Sequence, residues 1–218
     1  MSEPSHIGYD LERCTFMRNR LEAVVLIALV SGTLGKAQTE APQSQAMLRM
    51  VQDIQKAIVT LPNYGVFDDL HFAIQGSTVI LRGQASRPTL KSSAERVVQK
   101  VEGVSAVKNE IEVLPLSPND DRLRAAVYVR LYSYPVLQKY TSNRGAGARL
   151  GSNVSRRMGI TNDPPIGYHA IHIILKNGNV SLRGVVNNES DSAIAEMRAN
   201  GTPGVFSVEN DLYTATAP

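Results

Sequence analysis

The chain is poor in the residues that carry covalent chemistry. Among 218 residues it has no tryptophan and a single cysteine, Cys14. That cysteine precedes an apolar run and no lipobox cysteine follows it, so lipid anchoring through cysteine is not indicated, and a chain cleaved after that run holds no cysteine for a disulfide framework or thiol catalysis. Aromatics make up 6% of the residues and the net charge is only +3. A dedicated nucleic-acid binder carries a larger, clustered positive charge, so that class is set aside. No G-x-S-x-G occurs. "RGAGARLG" (144–151) lacks both the G-x-G-x-x-G spacing and a strand feeding it, and no P-loop lysine follows. His169 and His172 lie in a strand-like stretch at odd spacing, on opposite faces, with no third ligand nearby. The expectation is a non-enzymatic protein with no cofactor and no metal.

What the chain does have begins near its start. Arg18 and Arg20 follow Met17, an apolar run covers Ala23 to Val30, and small residues lead to Gly35-Lys36-Ala37. A basic start, a short apolar core and a small-x-small site predict a secretory signal peptide over 1–37, cleaved after Ala37. The run is shorter than the roughly 20 residues that span a bilayer. Glu3, Asp10 and Glu12 fit an n-region poorly, which predicts a true start at Met17. The mature protein is thereby expected to be exported, with the periplasm as its compartment, and with residues 38–46 as a flexible N-terminus.

The rest of the chain is written twice. At a fixed offset of 101, residues 71–109 and 172–210 share 11 of 39 positions. The identities include both histidines (His71, His172), the phrase Val-x-Leu-Arg-Gly at 79–83 and 180–184, Ala94-Glu95 with Ala195-Glu196, and Gly103-Val104 with Gly204-Val205. Each copy runs through the same periodicities: a helix, two alternating segments around a turn, a second helix and a closing strand. The fold class predicted is α+β, with two α-β-β-α-β units, each a small three-stranded sheet packed against two helices. The first unit covers 47–114, a linker 115–118, and the second unit 119–214. Asn177-Gly178 is a strong hairpin turn signal. Gly83 and Gly184 mark places where a strand turns sharply or backbones approach closely.

This order of elements resembles the BON domain (bacterial OsmY and nodulation). The residues that carry the likeness are Val79, Leu81, Gly83, Gly103, Val104, Val107 and Asn109, then Val180, Leu182, Gly184, Gly204, Val205, Val208 and Asn210. The resemblance implies an exported protein without enzymatic activity that binds phospholipid or another anionic envelope surface and takes part in envelope stress protection. A KH-like module is discounted, since no G-x-x-G lies between helices.

The second unit departs from the first between its first helix and its hairpin, where a long basic insertion covers 141–166. Residues 38–218 hold 19 Lys+Arg and 16 Asp+Glu, of which the insertion has four and one, leaving 15 of each elsewhere. Arg144, Arg149, Arg156 and Arg157 therefore carry the whole excess, and arginine pairs bidentately with phosphate or carboxylate. The segment is either an anion- or lipid-binding loop or a solvated loop that its arginines keep soluble. Tyr132, Tyr134 and Tyr140, with Tyr128, precede it. They are either membrane-interface aromatics or, for Tyr128 and Tyr132, an i, i+4 pair packed on a helix. The expected partner is anionic phospholipid or an envelope polymer. The alternative is a structural adaptor docking on a protein of the cell envelope.

Overall fold

The structure, a computed structural model, describes residues 40–142, 159–165 and 167–215, with side chains from residue 45 onward. Residues Thr39–Pro218 form one compact unit that contains both repeats.

The first repeat opens with α1 (Glu40–Val59), which lays Met50, Ile54 and Ile58 on its buried face. The helix begins seven residues before 47, so residues 40–46, expected to be flexible, are its first turns. Pro42 does not prevent this, because a missing N–H costs nothing in the first turn. A hairpin follows, β1 (Asp69–Gln75) and β2 (Thr78–Ala85), then α2 (Pro88–Val98), held by Leu90, Ala94 and Val98. The closing strand is interrupted: β3 (Ala106–Asn109) and β4 (Glu112–Val113) both pair parallel with β2 at one continuous register. The sheet has three positions, the third filled by two short strands.

Ser117 caps α3 (Pro118–Tyr132), its side chain accepting from the Asp120 N–H. The helix therefore begins at 118, the last residue assigned to the linker 115–118. A short 3-10 helix (Pro135–Tyr140) follows, and then β5 (Ile171–Lys176), β6 (Asn179–Val186), α4 (Glu189–Asn200) and β7 (Ser207–Thr214). β5 and β6 are antiparallel and β7 runs parallel to β6. Although α3 and α1 are not related by the 101 spacing, they take the same place. A Cβ on Gly103 would meet Met50 Sδ at 3.2 Å and one on Gly204 would meet Leu123 Cδ2 at 3.1 Å, so Leu123 corresponds to Met50.

The repeated residues have repeated jobs. Asn109 donates from its side chain to the Lys91 carbonyl and to Glu95, and Asn210 donates to the Ser192 carbonyl and to Glu196. Those partners are themselves 101 apart, so one amide ties the closing strand to the second helix in each copy. Gly83 and Gly184 sit inside β2 and β6, at φ +108 and +126, rather than at a strand end. A Cβ there would lie 2.0 Å from the Asp69 carbonyl oxygen or 1.9 Å from that of Ala170. Close approach across the hairpin, not a sharp turn, is what demands glycine.

Each sheet buries one face against its two helices, giving one core of Ile54, Val79, Leu81 and Leu90 and another of Val127, Leu131, Ile173 and Leu182. The second core is not made by the second repeat alone. Val66 and Phe67, in the loop between α1 and β1, insert into it.

Candidate functional site

The four arginines singled out by charge, Arg144, Arg149, Arg156 and Arg157, lie outside the described residues. What is described is the frame that holds the two ends of their segment. On one side Thr141 bridges His169, the Ser142 N–H donates to the Tyr168 carbonyl at 3.0 Å, and the Tyr168 N–H donates to Ser142 Oγ at 3.0 Å. On the other side Ile160 is buried in the second core. Its neighbour Thr161 accepts from Arg124 at 3.0 Å and donates to Asp121. Arg124 is itself buried, bonded to Asp121 at 3.0 Å and to the Leu175 carbonyl at 2.9 Å. Removing a buried guanidinium would leave those acceptors unpaired, so this knot fixes the return of the segment to α3 and β5.

Tyr128, Tyr132 and Tyr140 are core residues. Tyr132 is 0% exposed and Tyr140 4% exposed, which removes both from any membrane interface. The Tyr132 hydroxyl donates to the Ile171 carbonyl at 2.5 Å, and its ring stands 5.0 Å from that of Tyr128. That is the helical i, i+4 packing, and it answers the need of a buried phenol for both apolar contact and a partner. Burial also pushes the Tyr132 hydroxyl well above its ordinary pKa. Tyr140 donates to Asp191 at 2.5 Å and accepts from the Asn187 N–H at 2.7 Å, beside a Lys139–Asp191 pair at 2.7 Å. Tyr134 is half-buried with the Arg198 guanidinium 4.9 Å above its ring. Tyr168, at the anchored end of the arginine segment, does face outward and is 69% exposed. Composition gave it no prominence.

The two histidines of "HAIH" part company. His169 is buried between Tyr128 and Tyr132, its rings' centroids 5.5 and 5.2 Å away. Burial pulls its pKa down to about 4 against a hydrogen bond to the Gly167 carbonyl that works to raise it. The neutral ring then donates from Nδ1 to Gly167 at 2.9 Å and accepts from the Tyr128 hydroxyl at Nε2, 3.1 Å away. His172 points elsewhere, with Nδ1 3.2 Å from the Gly65 carbonyl and its ring 5.7 Å from Tyr64. Among the described residues no group of three His, Cys, Asp or Glu side chains could hold a metal, and no helix is long and apolar enough to cross a membrane.

His172 belongs to the seam between the repeats. The Ile173 N–H donates to the Val66 carbonyl at 2.7 Å, which gives β5 a backbone partner on its outer edge. Phe67 stands edge-on to Tyr128 at 6.3 Å. Arg183 reaches Asp69 at 3.0 Å, Gln84 at 3.4 Å and Asp211 at 3.4 Å, and Lys176 pairs with Glu112 at 2.5 Å. Burial works to raise the Asp69 carboxyl, but hydrogen bonds from His71 and Arg183 outweigh it and hold the group below the usual carboxylate range. Asp120, buried at the start of α3, accepts from the Asn177 and Gly178 N–H groups at 2.9 and 3.1 Å and so fixes the β5–β6 turn.

By sequence the excess of positive charge lies in one insertion, and the fold is a duplicated α+β scaffold. Comparison with known families gives it a name: the BON domain model matches residues 52–115 and 148–215, and the chain belongs to that family. The second match begins inside the insertion and leaves out α3, although α3 takes the place of α1. Among the solved structures that are similar are two of CdsD, a structural protein of the type III secretion system of Chlamydia trachomatis. One, its C-terminal domain, is 15% identical over 77% of this chain and 98% of that chain, with a TM-score of 0.24. The other is 14% identical over 77% of this chain and 93% of that chain, also with a TM-score of 0.24. No curated protein matches the chain.

Proposed function

We propose that the protein is an exported, non-enzymatic BON-domain protein whose second repeat binds an anionic envelope surface, with phospholipid headgroups as the ligand class. The observation that carries this reading is the distribution of charge. Outside 141–166 the residues from 38 onward hold equal numbers of basic and acidic side chains. Many of these are paired with one another: Arg82 and Lys108 with Glu110, Lys139 with Asp191, Lys176 with Glu112, Arg183 with Asp69. By sequence the four arginines add the net charge to this neutral frame, between two described ends that are pinned by buried or bonded residues. Guanidinium groups brought to a lipid surface interact with phosphate at about 1 kcal/mol each, so four give salt-sensitive binding without any enclosed pocket.

The test is flotation of residues 38–218 with anionic and with neutral vesicles over a salt series. A variant with Arg144, Arg149, Arg156 and Arg157 replaced by serine is run beside it. Binding to anionic vesicles alone, lost at high salt and in the variant, is the expected result. Binding that survives the four substitutions would transfer the surface to another part of the molecule, and absence of binding at every salt would refute the reading. The adaptor reading is favoured by one observation, the outer strand β7, where Tyr213 is exposed and lies opposite an exposed Val185 on β6.

A further inference from the structure

The two repeats close their hairpins with different chemistry. In the second, the β5–β6 turn is Asn177-Gly178, with φ of +53 and +78, the I′ geometry that tight hairpins favour. Asparagine before glycine is also a labile pair. The Gly178 nitrogen loses its proton and attacks the side-chain amide carbon of Asn177, a new N–C bond closes a cyclic imide, and ammonia leaves. Water then opens the imide to aspartate or isoaspartate. Glycine has no Cβ to shield the attacking nitrogen, so nothing slows the reaction in an unfolded chain.

The folded protein ties down the reacting groups. The Gly178 N–H donates to Asp120 Oδ1 at 3.1 Å, and the Asn177 N–H donates to Oδ2 at 2.9 Å. The Asn177 carbonyl accepts from Asn179 Nδ2 at 3.3 Å, so the peptide unit between 177 and 178 is bonded at both ends. The Phe206 ring lies against Gly178, where a Cβ would stand 2.5 Å from Cδ2, and the Phe206 N–H donates to the Gly178 carbonyl at 2.9 Å. Attack on the side chain requires this peptide unit to rotate and the Gly178 proton to leave. Rotation breaks the bond to Asp120. Deprotonation would set a nitrogen anion beside a buried carboxylate, two like charges in contact.

The first repeat lacks both parts. Its turn is Gly76-Ser77, and because Met50 corresponds to Leu123, Met47 stands in the place of Asp120. Ser105 stands in the place of Phe206. The labile pair and its clamp are thus present together in one copy and absent together from the other.

We propose that Asn177 is a latent deamidation site, held shut by Asp120 and Phe206 and opened when the start of α3 leaves the turn. Once spent, the site does not close as before. Aspartate at 177 brings a second carboxylate close to Asp120, and isoaspartate lengthens the backbone of a turn that fits two residues. None of these groups lies in the insertion, so the site is independent of the anionic-surface reading.

The experiment is peptide mapping by mass spectrometry on residues 38–218 incubated in mildly alkaline buffer, folded and unfolded in urea. Conversion is followed at Asn177 and at Asn200-Gly201, the other such pair, whose Gly201 N–H donates to the Met197 carbonyl at 3.0 Å. Folded wild type should convert Asn177 at least about tenfold more slowly than the unfolded chain. Asp120→Ala should remove most of that protection at Asn177 and leave Asn200 at its wild-type rate, so that Asn200 reports whether the variant is folded. Phe206→Ala alters a side chain that is 77% exposed, so it should keep the fold and raise the rate at Asn177 by less. Asn177 converting as fast in the folded protein as in urea, or staying protected in Asp120→Ala, would overturn the proposal. So would an equal rise at both sites in both variants, since general unfolding and not the clamp would then be the gate.

Discussion

Phe67 is counted in the first repeat by sequence but packs in the core of the second, and replacing it with alanine separates the two descriptions. Its side chain is 1% exposed and stands edge-on to Tyr128, with Val66 and Ile173 joined beside it by a backbone hydrogen bond. Truncating a phenylalanine in such a place removes its transfer energy and leaves a cavity, a loss of about 3–5 kcal/mol. In a domain of this size that lowers the melting temperature by about 10 °C. The assay is urea unfolding combined with native-state hydrogen exchange. The substitution should lower stability as stated, and the amides of β5 and β6 should lose protection together with those of β1 and β2, since the loop belongs to both. A cost below about 1 kcal/mol, or lost protection confined to β1 and β2, would mean that Phe67 does not bind the repeats into one cooperative body.

Two other perturbations follow from the described geometry. His169 has its pKa held at about 4, below its ordinary 6.5, so the neutral ring stabilises the fold above pH 6.5 and that contribution is lost as pH falls toward 4. The loss is at most about 3 kcal/mol, and His169→Gln should flatten the urea midpoint between those pH values; an unchanged slope would exonerate the ring. Gly184→Ala drives a Cβ to within 1.9 Å of the Ala170 carbonyl oxygen, while at Gly76 a Cβ meets nothing within 4 Å. The first should cost at least about 3 kcal/mol and the second about 1 kcal/mol, as read from chemical denaturation; equal costs would deny that close approach across the hairpin is the reason for the glycine.

The repeat was legible because its signals are local. Val-x-Leu-Arg-Gly alternates in one strand, Leu90, Ala94 and Val98 recur on one helical face, and both need only neighbours in sequence to be read. The value of Asn109 and Asn210 was visible as identity, yet their hydrogen bonds to Glu95 and Glu196 join elements that only the fold brings together. The tyrosines misled because sequence reports that a side chain is amphipathic, not where it is placed. Tyr132 and Tyr140 satisfy their hydroxyls inside the protein, on Ile171 and Asp191. The seam was illegible for a similar reason. "YGVFDD" reads as a loop with turn residues, and nothing local says that its two apolar side chains complete a core roughly a hundred residues further on. One clue was present: the offset that aligns the repeats sets Phe67 against Tyr168, in a region where the copies otherwise part.

The shared core also bears on the history of the chain. A freshly duplicated gene yields two equivalent units, either of which can be lost without harm to the other. Once Val66 and Phe67 completed the packing around Val127 and Ile173, that freedom ended. Deleting the first copy would leave the second with a hole where those side chains belong, and deleting the second would set two large apolar groups in water. Loss of either copy would thus be felt in the packing of the other, a constraint on the chain that is independent of the surfaces on which selection for binding acts.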